Sequence, residues 1–310
     1  MDLVNKTGFP YFQFEKIGHY GELFTVIAVS QTFDIPKLDG VCPVADKQRP
    51  LVMADTWFGE PEFSSLRTVS DFIWRKVRAD ILLAGSAWYA GERVNAWQAE
   101  FQVGKLSRTI DVCGPREWQF INGDWQLSNP ERVNNVLLRH ELASSSQYNP
   151  FGRKVPSSID QTSPILASQL SASPGAVCRS WPSRLRYAQG FTTAWKESVM
   201  PFYPAEFDVA FFNSAPLEQQ YDGYLLGNEK IVLKGLLRSA VTRTCFLPGL
   251  RVVAKNPHSD YSLLRQPLQA DTLTCHTDDE QITLVWRLTL PAQTLPEHLV
   301  LVTEQELSHG

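Results

Sequence analysis

The residues best suited to do chemistry are two carboxylates, Glu206 and Asp208, which flank Phe207 just after the run PFYP at 201–204. On a strand the two would share a face, and paired carboxylates beside aromatic rings are typical of glycoside hydrolases. Such enzymes usually take their two acids from different elements, so sequence neighbours alone do not make a catalytic pair. The structural alternative is that Asp208 accepts backbone amides at the following turn while Glu206 is solvated.

No other reactive pattern is present in the sequence. It contains no Walker loop, dinucleotide fingerprint, nucleophile elbow or HExxH pair. The six histidines are scattered, and the five cysteines show no CxxC spacing, which favours buried, reduced cysteines over metal ligands. We therefore predict a protein that is not an enzyme and that needs no cofactor and no metal. A metal site assembled by the fold from distant residues is the alternative.

Nine tryptophans could serve either the core or a binding surface. Burying one indole removes about 150–250 Å² from water, so core packing explains most of them, as for Trp286 within an apolar strand. Trp and Arg also dominate interface hot spots. Trp181 and Trp195 follow a long loop and are the candidates for anchoring a partner. The basic run Arg75-Lys76-Arg78 is predicted to be a solvated face.

Composition narrows the class of protein that positions these residues. Hydrophobic residues make up 43% and charged residues 20% of the 310 residues, as in a folded globular protein. The net charge of -4 gives no reason to expect nucleic acid or an anionic membrane as a partner. The first residues lack the basic-then-apolar pattern of a secretory signal. We expect a soluble, cytoplasmic protein.

The predicted fold is mainly β, with antiparallel sandwich-like or barrel-like sheets and few short helices. Turn cues recur between runs rich in β-branched and aromatic residues. Asn122-Gly123 and the segment 277–280 predict hairpins. Two more are predicted, one between 80–89 and 94–103 and one between 94–103 and 106–112. Short helices are predicted over 192–199 and after Pro216.

A Ser- and Pro-rich loop at 144–173 interrupts this pattern. A loop of this length is usually a surface connection, and the alternative is a flap that responds to a partner. The chain is predicted to be a single domain over 1–310. It could comprise two β lobes, 1–143 and 174–310, joined by that loop.

Several segments together resemble one bacterial family. In its motif, Asp71, Lys76 and Asp80 precede Gly85 and Ala87. The segments that carry the resemblance are 24–35 (FTVIAVSQTFDI), 64–94, 103–118, 139–153, 181–195, 204–220, 246–252 and 270–287. The family comprises bacterial domains of unknown function encoded beside the type VI secretion spike protein VgrG and PAAR-like effectors. One departure is Ser144-Ser145-Ser146, where the family usually has Phe-Gly-Gly after Glu141-Leu142-Ala143.

The resemblance implies an adaptor or chaperone that binds a PAAR-like effector and helps to load it onto the VgrG spike. The alternative function is a carbohydrate-active β-sandwich enzyme or a lectin-like binding protein. Arg184 is expected to lie against an aromatic ring or to grip a carboxylate. Polar groups near Pro216 are suited to capping a turn. The predicted partner-binding residues are Trp181, Arg184, Trp195, Asp208, Asn213, Gln219 and Gln220.

Overall fold

The computed structural model describes residues 2–18, 21–147, 149–156, 165–256, 266–294 and 296–304. Within these ranges the chain forms many strands and few, short helices, so the prediction of a mainly β fold is confirmed. No helix within the described ranges has the length and apolar character needed to cross a bilayer.

The strands are short, and most lie far in sequence from at least one of their pairing partners. In chain order they are β1 (Asp2–Asn5), β2 (Tyr11–Ile17), β3 (Leu23–Asp34), β4 (Gly40–Val41), β5 (Thr56–Trp57), β6 (Leu66–Thr68), β7 (Asp80–Ala84), β8 (Ser86–Trp88), β9 (Ala96–Val103), β10 (Leu106–Cys113), β11 (Glu117–Ile121), β12 (Asp124–Leu127), β13 (Asn135–Leu137), β14 (Ile165–Leu166), β15 (Lys230–Lys234), β16 (Thr242–Phe246), β17 (Val252–Lys255), β18 (Gln266–Pro267), β19 (Gln269–His276), β20 (Gln281–Pro291) and β21 (His298–Thr303). The helices are α1 (Pro182–Leu185) and α2 (Thr193–Ser198), with 3-10 turns at His140–Leu142, Val209–Phe212, Leu217–Gln219 and Ala292–Thr294.

Two five-stranded sheets build the main core. Sheet I has the order β2-β3-β20-β19-β7, and sheet II has the order β10-β9-β15-β16-β4. Ile27 and Trp286 of sheet I lie in one contiguous buried cluster with Phe101 and Leu233 of sheet II. The sheets therefore share one apolar interior, as the alternation along their strands requires. A four-stranded sheet, β1-β21-β17-β18, adds Leu301 to the same cluster.

Three of the predicted hairpins are confirmed and one is wrong. β9 and β10 pair across Gly104-Lys105. β11 and β12 pair across Asn122-Gly123, both with positive φ, and β19 and β20 pair across 277–280. The run 80–89 does not pair with 94–103, because Gly85 breaks it into β7 and β8. β7 pairs in parallel with β19, and β8 pairs with β13.

The two lobes considered from the sequence do not exist as separate units. Sheet I combines β2, β3 and β7 from the first half of the chain with β19 and β20 from the second. Sheet II likewise inserts β15 and β16 between β9 and β4. Hydrogen-bonded ladders thus join the halves, so the halves share their sheets.

The Ser/Pro-rich loop is tied to the sheets at both ends. Ala143 and Leu170 form a bridge, Ser144 bridges Arg153, and β14 pairs with β11. Residues 148 and 157–164 of the predicted loop lie outside the described residues. Its described ends form part of the surface next to β10 and β11.

A buried ion pair between Lys76 and Asp80 helps to hold the segments around residues 76 and 213–214 on the outer face of sheet I. Lys76 Nζ donates to Asp80 Oδ2 at 2.7 Å and to Thr272 Oγ1 at 2.6 Å. Asp80 also accepts from Asn213 Nδ2 and from the amide and hydroxyl of Ser214. Burial alone would raise the pKa of Asp80, but attraction to Lys76 and these hydrogen bonds outweigh it and hold the pKa below its ordinary value. Within the basic run, then, Lys76 is a buried partner while Arg75 and Arg78 are exposed.

We expect Asp80→Asn to destabilise the fold by about 3–5 kcal/mol, because it leaves the Lys76 ammonium buried without a counter-charge. The double variant Lys76→Met/Asp80→Asn should recover part of that loss, since it removes both charges. Urea denaturation of the two variants and the wild type measures the difference in free energy of unfolding. Equal stability of Asp80→Asn and wild type would contradict this account.

Gly85 offers a second test with a matched control. It has φ +117, and an added Cβ would lie 2.6 Å from Thr277 Oγ1, which already accepts from the Ser86 amide. Gly91 also has a positive φ, but nothing lies within 4 Å of its Cβ position. Gly91→Ala should cost about 1–3 kcal/mol for its backbone alone, and Gly85→Ala about 1–3 kcal/mol more for overpacking. Thermal unfolding of both variants measures the difference. If the two variants lowered the melting temperature equally, the close contact at Gly85 would be relieved without cost.

Candidate functional site

An aromatic groove of about 580 Å³ lies where residues 53–74 meet residues 179–212. Rings from both segments line it, and they contact one another in series. Tyr203 stacks on Phe207 at 4.3 Å, Phe207 lies 5.7 Å from Phe212, and Phe212 lies 6.4 Å from Trp74. We define the aromatic groove by the rings of Trp57, Phe72, Trp74, Phe191, Tyr203, Phe207, Phe211 and Phe212.

An exposed apolar patch continues from this groove. Helix α2 begins after Thr192, whose hydroxyl accepts from the Trp195 amide, and none of its residues is buried. Phe191 packs on Trp195 at 4.8 Å, and Trp195 Nε1 donates to the carbonyl of Phe202 at 2.8 Å. The patch comprises Phe191, Trp195, Val199, Met200 and Phe202, with Met200 59% exposed. Exposed apolar side chains grouped in this way are typical of interaction surfaces.

A second concavity, the arginine pocket, lies on the other side of Arg184. It has a volume of about 320 Å³ and is lined by three arginines, one glutamate and several serines. The residues that define it are Arg108, Ser144, Ser145, Ser146, Arg184, Arg186 and Glu218.

Arg184 lines both concavities. Its Nε and Nη2 donate to the carbonyl of Phe211 and its Nη1 to that of Val177, and its guanidinium lies 5.2 Å from the Phe211 ring centre. Burial lowers the pKa of Arg184 to about 10. Of the two roles predicted for Arg184, contact with an aromatic ring is therefore observed.

The other predicted partner-binding residues divide into buried and accessible groups. Trp181 is 2% exposed, donates its indole N–H to the carbonyl of Glu62 and packs against His140. The expectation that Trp181 contacts a partner is corrected here: in this position it is a core residue. Asn213 and Gln219 are also buried. Trp195 alone of the two tryptophans lies at the surface.

The amides act by fixing the backbone around the arginine pocket. Asn213 Nδ2 donates to Asp80 and to the carbonyl of Arg78. Gln219 Nε2 donates to the carbonyls of Ile81 and Pro174, while its Oε1 accepts from Arg108. Gln220, half-buried, donates to the carbonyl of Ala215. The turn after Pro216 is thus pinned to β7, and it presents Gln219 to Arg108.

The carboxylates Glu206 and Asp208 are not on a strand. Asp208 Oδ1 accepts from the Ala210 amide at 2.8 Å and caps the 3-10 turn Val209–Phe212. Glu206 is exposed, and Phe207 between them is buried in the aromatic groove. The arrangement matches the structural alternative given from the sequence.

The three serines at 144–146 adopt backbone conformations that do not require glycine. None of Ser144, Ser145 and Ser146 has a positive φ. Ser144 donates its amide to Leu170 O, and Ser145 donates its amide to Arg153 O at 2.9 Å. The backbone is therefore held by ladder-like bonds that any residue can make.

Sequence reasoning missed Arg108 and most of the rings that line the aromatic groove. Arg108 lies on β10 among residues that alternate between the surface and the core, so nothing distinguished it from a solvated cation. The grouping of Phe72, Phe191 and Phe211 depends on tertiary contacts. The available signal was the density of aromatic residues from 191 to 212.

Metal chemistry has no evident centre in the described ranges. No group of three His, Cys, Asp or Glu side chains there could hold a metal ion. All five cysteines are free, and all but the half-buried Cys113 are buried, as predicted.

His140 is expected to make the stability of the fold depend on pH. It is fully buried beneath the arginine pocket, its Nε2 lies 3.1–3.2 Å from two carbonyl oxygens, and burial lowers its pKa to about 4. Between about pH 6.5 and pH 4 the unfolded chain takes up a proton that the folded chain refuses. The free energy of unfolding should therefore fall by about 3 kcal/mol at most from this group as the pH drops through that range.

The variant His140→Gln should flatten this part of the profile, because glutamine does not titrate. His276→Gln should do the same, since burial lowers the pKa of His276 to about 4 as well. Urea denaturation of each protein between pH 4 and pH 7 measures the slope. Parallel profiles for wild type and His140→Gln would rule out His140 as the source.

Comparison with known proteins places the chain in one family. The family model described as "Uncharacterized protein conserved in bacteria (DUF2169)" matches residues 20–287. This range includes both concavities and all of the predicted partner-binding residues. No curated protein and no solved structure gives a significant match. Because the match covers most of the 310 residues, the chain belongs to the DUF2169 family of proteins conserved in bacteria.

Proposed function

We propose that this protein is a non-catalytic adaptor that binds a polypeptide. Its cargo is an effector with a PAAR-like region, which it keeps soluble and helps to load onto the VgrG spike of a type VI secretion system. The observation that carries the proposal is the aromatic groove with the apolar patch beside it. Loading precedes secretion, so the protein would act in the cytoplasm.

The geometry of the groove suits a polypeptide. Aromatic anchors supply much of the binding free energy of protein interfaces. Truncating one of the strongest anchors to alanine weakens binding by about 2 kcal/mol or more. The groove has rigid walls, because its rings pack on one another and on the segment fastened by Asp80. A rigid surface loses little conformational entropy when a partner binds.

The catalytic alternative receives less support from the same residues. A glycoside hydrolase needs two acids directed at one bond, with separations set by the reaction. Asp208 instead caps a turn, and Glu206 stands in solvent beyond a buried phenylalanine. A lectin-like function remains compatible with an aromatic surface, but the described residues add no feature that favours a sugar over a polypeptide.

Binding would stabilise the cargo by mass action. An adaptor present at 100 times its Kd for the folded cargo adds about 2.7 kcal/mol to the cargo's stability. This is enough to change the soluble yield of a marginal domain.

The proposal is tested by co-expressing the chain with a PAAR-like effector encoded beside its gene. We expect the effector to be more soluble with the adaptor than without it, and to co-purify with it. The double variant Phe191→Ser/Met200→Ser should weaken binding at least tenfold, about 1.4 kcal/mol or more, because it removes two exposed apolar side chains from the patch.

The matched control is Leu38→Ser/Leu226→Ser, which removes two other exposed apolar side chains, 79% and 59% exposed. Neither lines the groove. This control should bind cargo as the wild type does, and circular dichroism should show that both double variants are folded. The proposal would be refuted if the effector were equally soluble with and without the wild-type adaptor and did not co-purify with it.

A further inference from the structure

Basic side chains surround the Ser144–Ser146 loop on both sides. On one side lie the three arginines of the arginine pocket. On the other side is a smaller cavity of about 120 Å³ that shares Ser144 and Ser145 with the pocket. The cations that line this second cavity are Arg116, Arg153 and Lys154.

The charge balance here is the reverse of that of the whole chain. Six cations line the two cavities, while Glu218 is the single carboxylate among the described residues that line them. The protein as a whole has a net charge of -4. A local excess of this size attracts anions to this face and repels basic segments.

The side-chain hydrogen bonds of the two inner arginines go to an amide and to backbone carbonyls. Arg108 Nη1 donates to Gln219 Oε1, and Arg184 donates to the carbonyls of Val177 and Phe211. Neither forms an ion pair with a carboxylate of the described residues. Burial lowers the pKa of both guanidinium groups. Desolvated guanidinium groups bind an entering anion more strongly than solvated ones do.

The donors suit an oxyanion, and a carboxylate is the oxyanion that the side chains of an unmodified polypeptide carry. Guanidinium N–H groups match the oxygens of a carboxylate, and the neighbouring Ser145 carries a hydroxyl donor. Arg184 also lines the aromatic groove, so a chain seated in the groove would pass close to the pocket.

We infer that the arginine pocket and the cavity beside it form a binding site for the carboxylates of an acidic polypeptide segment, one cavity on each side of the Ser144–Ser146 loop. The polypeptide nature of the ligand rests on the proposed function. The anion preference rests on the pocket itself. Cargo thus carries aspartate or glutamate next to the apolar residues that occupy the aromatic groove.

The test uses the full chain and a fluorescently labelled hexaglutamate peptide, with hexaglutamine as the uncharged probe. Fluorescence anisotropy should show binding of hexaglutamate that weakens as NaCl is raised, and no binding of hexaglutamine. Arg108→Gln should weaken hexaglutamate binding at least tenfold, because a charge-assisted hydrogen-bond donor is lost. Lys154→Gln/Arg186→Gln, at two exposed positions, should weaken it without affecting the fold.

The matched control is Lys230→Gln/Lys234→Gln, which removes the same two charges from exposed positions of β15 that line neither cavity. It should bind hexaglutamate within twofold of the wild type. If both double variants lost the same affinity for hexaglutamate, the inference would be overturned, because the loss would then depend on net charge alone. Displacement of hexaglutamate by an equal concentration of inorganic phosphate would also overturn it, by showing a general oxyanion site.

The cargo assay separates this inference from the proposed function. If cargo co-purifies equally with wild type and with Lys154→Gln/Arg186→Gln, the acidic-segment inference fails while the adaptor function stands. If hexaglutamate binds as expected but no cargo co-purifies with wild type, the adaptor function fails while the carboxylate site stands.

Discussion

The buried pair between Lys76 and Asp80 is the interaction on which both concavities depend. Asp80 begins β7 at the edge of sheet I, and it gathers Lys76, Asn213 and Ser214 around one carboxylate. Lys76 in turn bonds Thr272 of β19, whose hydroxyl donates to Asp271. Two buried charges require full hydrogen bonding, and here the partners come from three segments of the chain, 76–80, 213–214 and 271–272.

The geometry of the groove and the pocket follows from that fastening. Residues 209–220 leave the Asp80 cluster in two directions. On one side they present Phe211 and Phe212 to the aromatic groove, and on the other they present Gln219 to Arg108. A second buried pair, Arg287 with Asp271, extends the arrangement, because Arg287 also donates to the carbonyls of Asp71 and Ile73. The charged residues Asp71, Lys76 and Asp80 of the family-like motif thus act as scaffold, because their hydrogen bonds hold these surfaces in place.

Local signals predicted local structure well, and distant pairing poorly. Asn122-Gly123 marks a hairpin because both residues tolerate positive φ, and the turn at 277–280 joins two strands with strong β propensity. Nothing local indicates that β7 pairs in parallel with β19, almost two hundred residues later. At the site, the capping role of Asp208 could be predicted because it depends on the next two residues. The burial of Trp181 and the clustering of arginines around Ser144 depend on the tertiary fold, so composition and spacing could not reveal them.

The interleaving of early and late strands in sheet I has a consequence for how the protein is made. Strand β3 is paired along its whole length with β20, which ends at Pro291, so β3 stays open along one side until almost the entire chain has left the ribosome. During synthesis this long, mostly apolar strand and its neighbour β2 form an unprotected edge of the kind that aggregates. Slow, non-local closure of this sort prolongs the time during which the nascent chain can aggregate through the open strand.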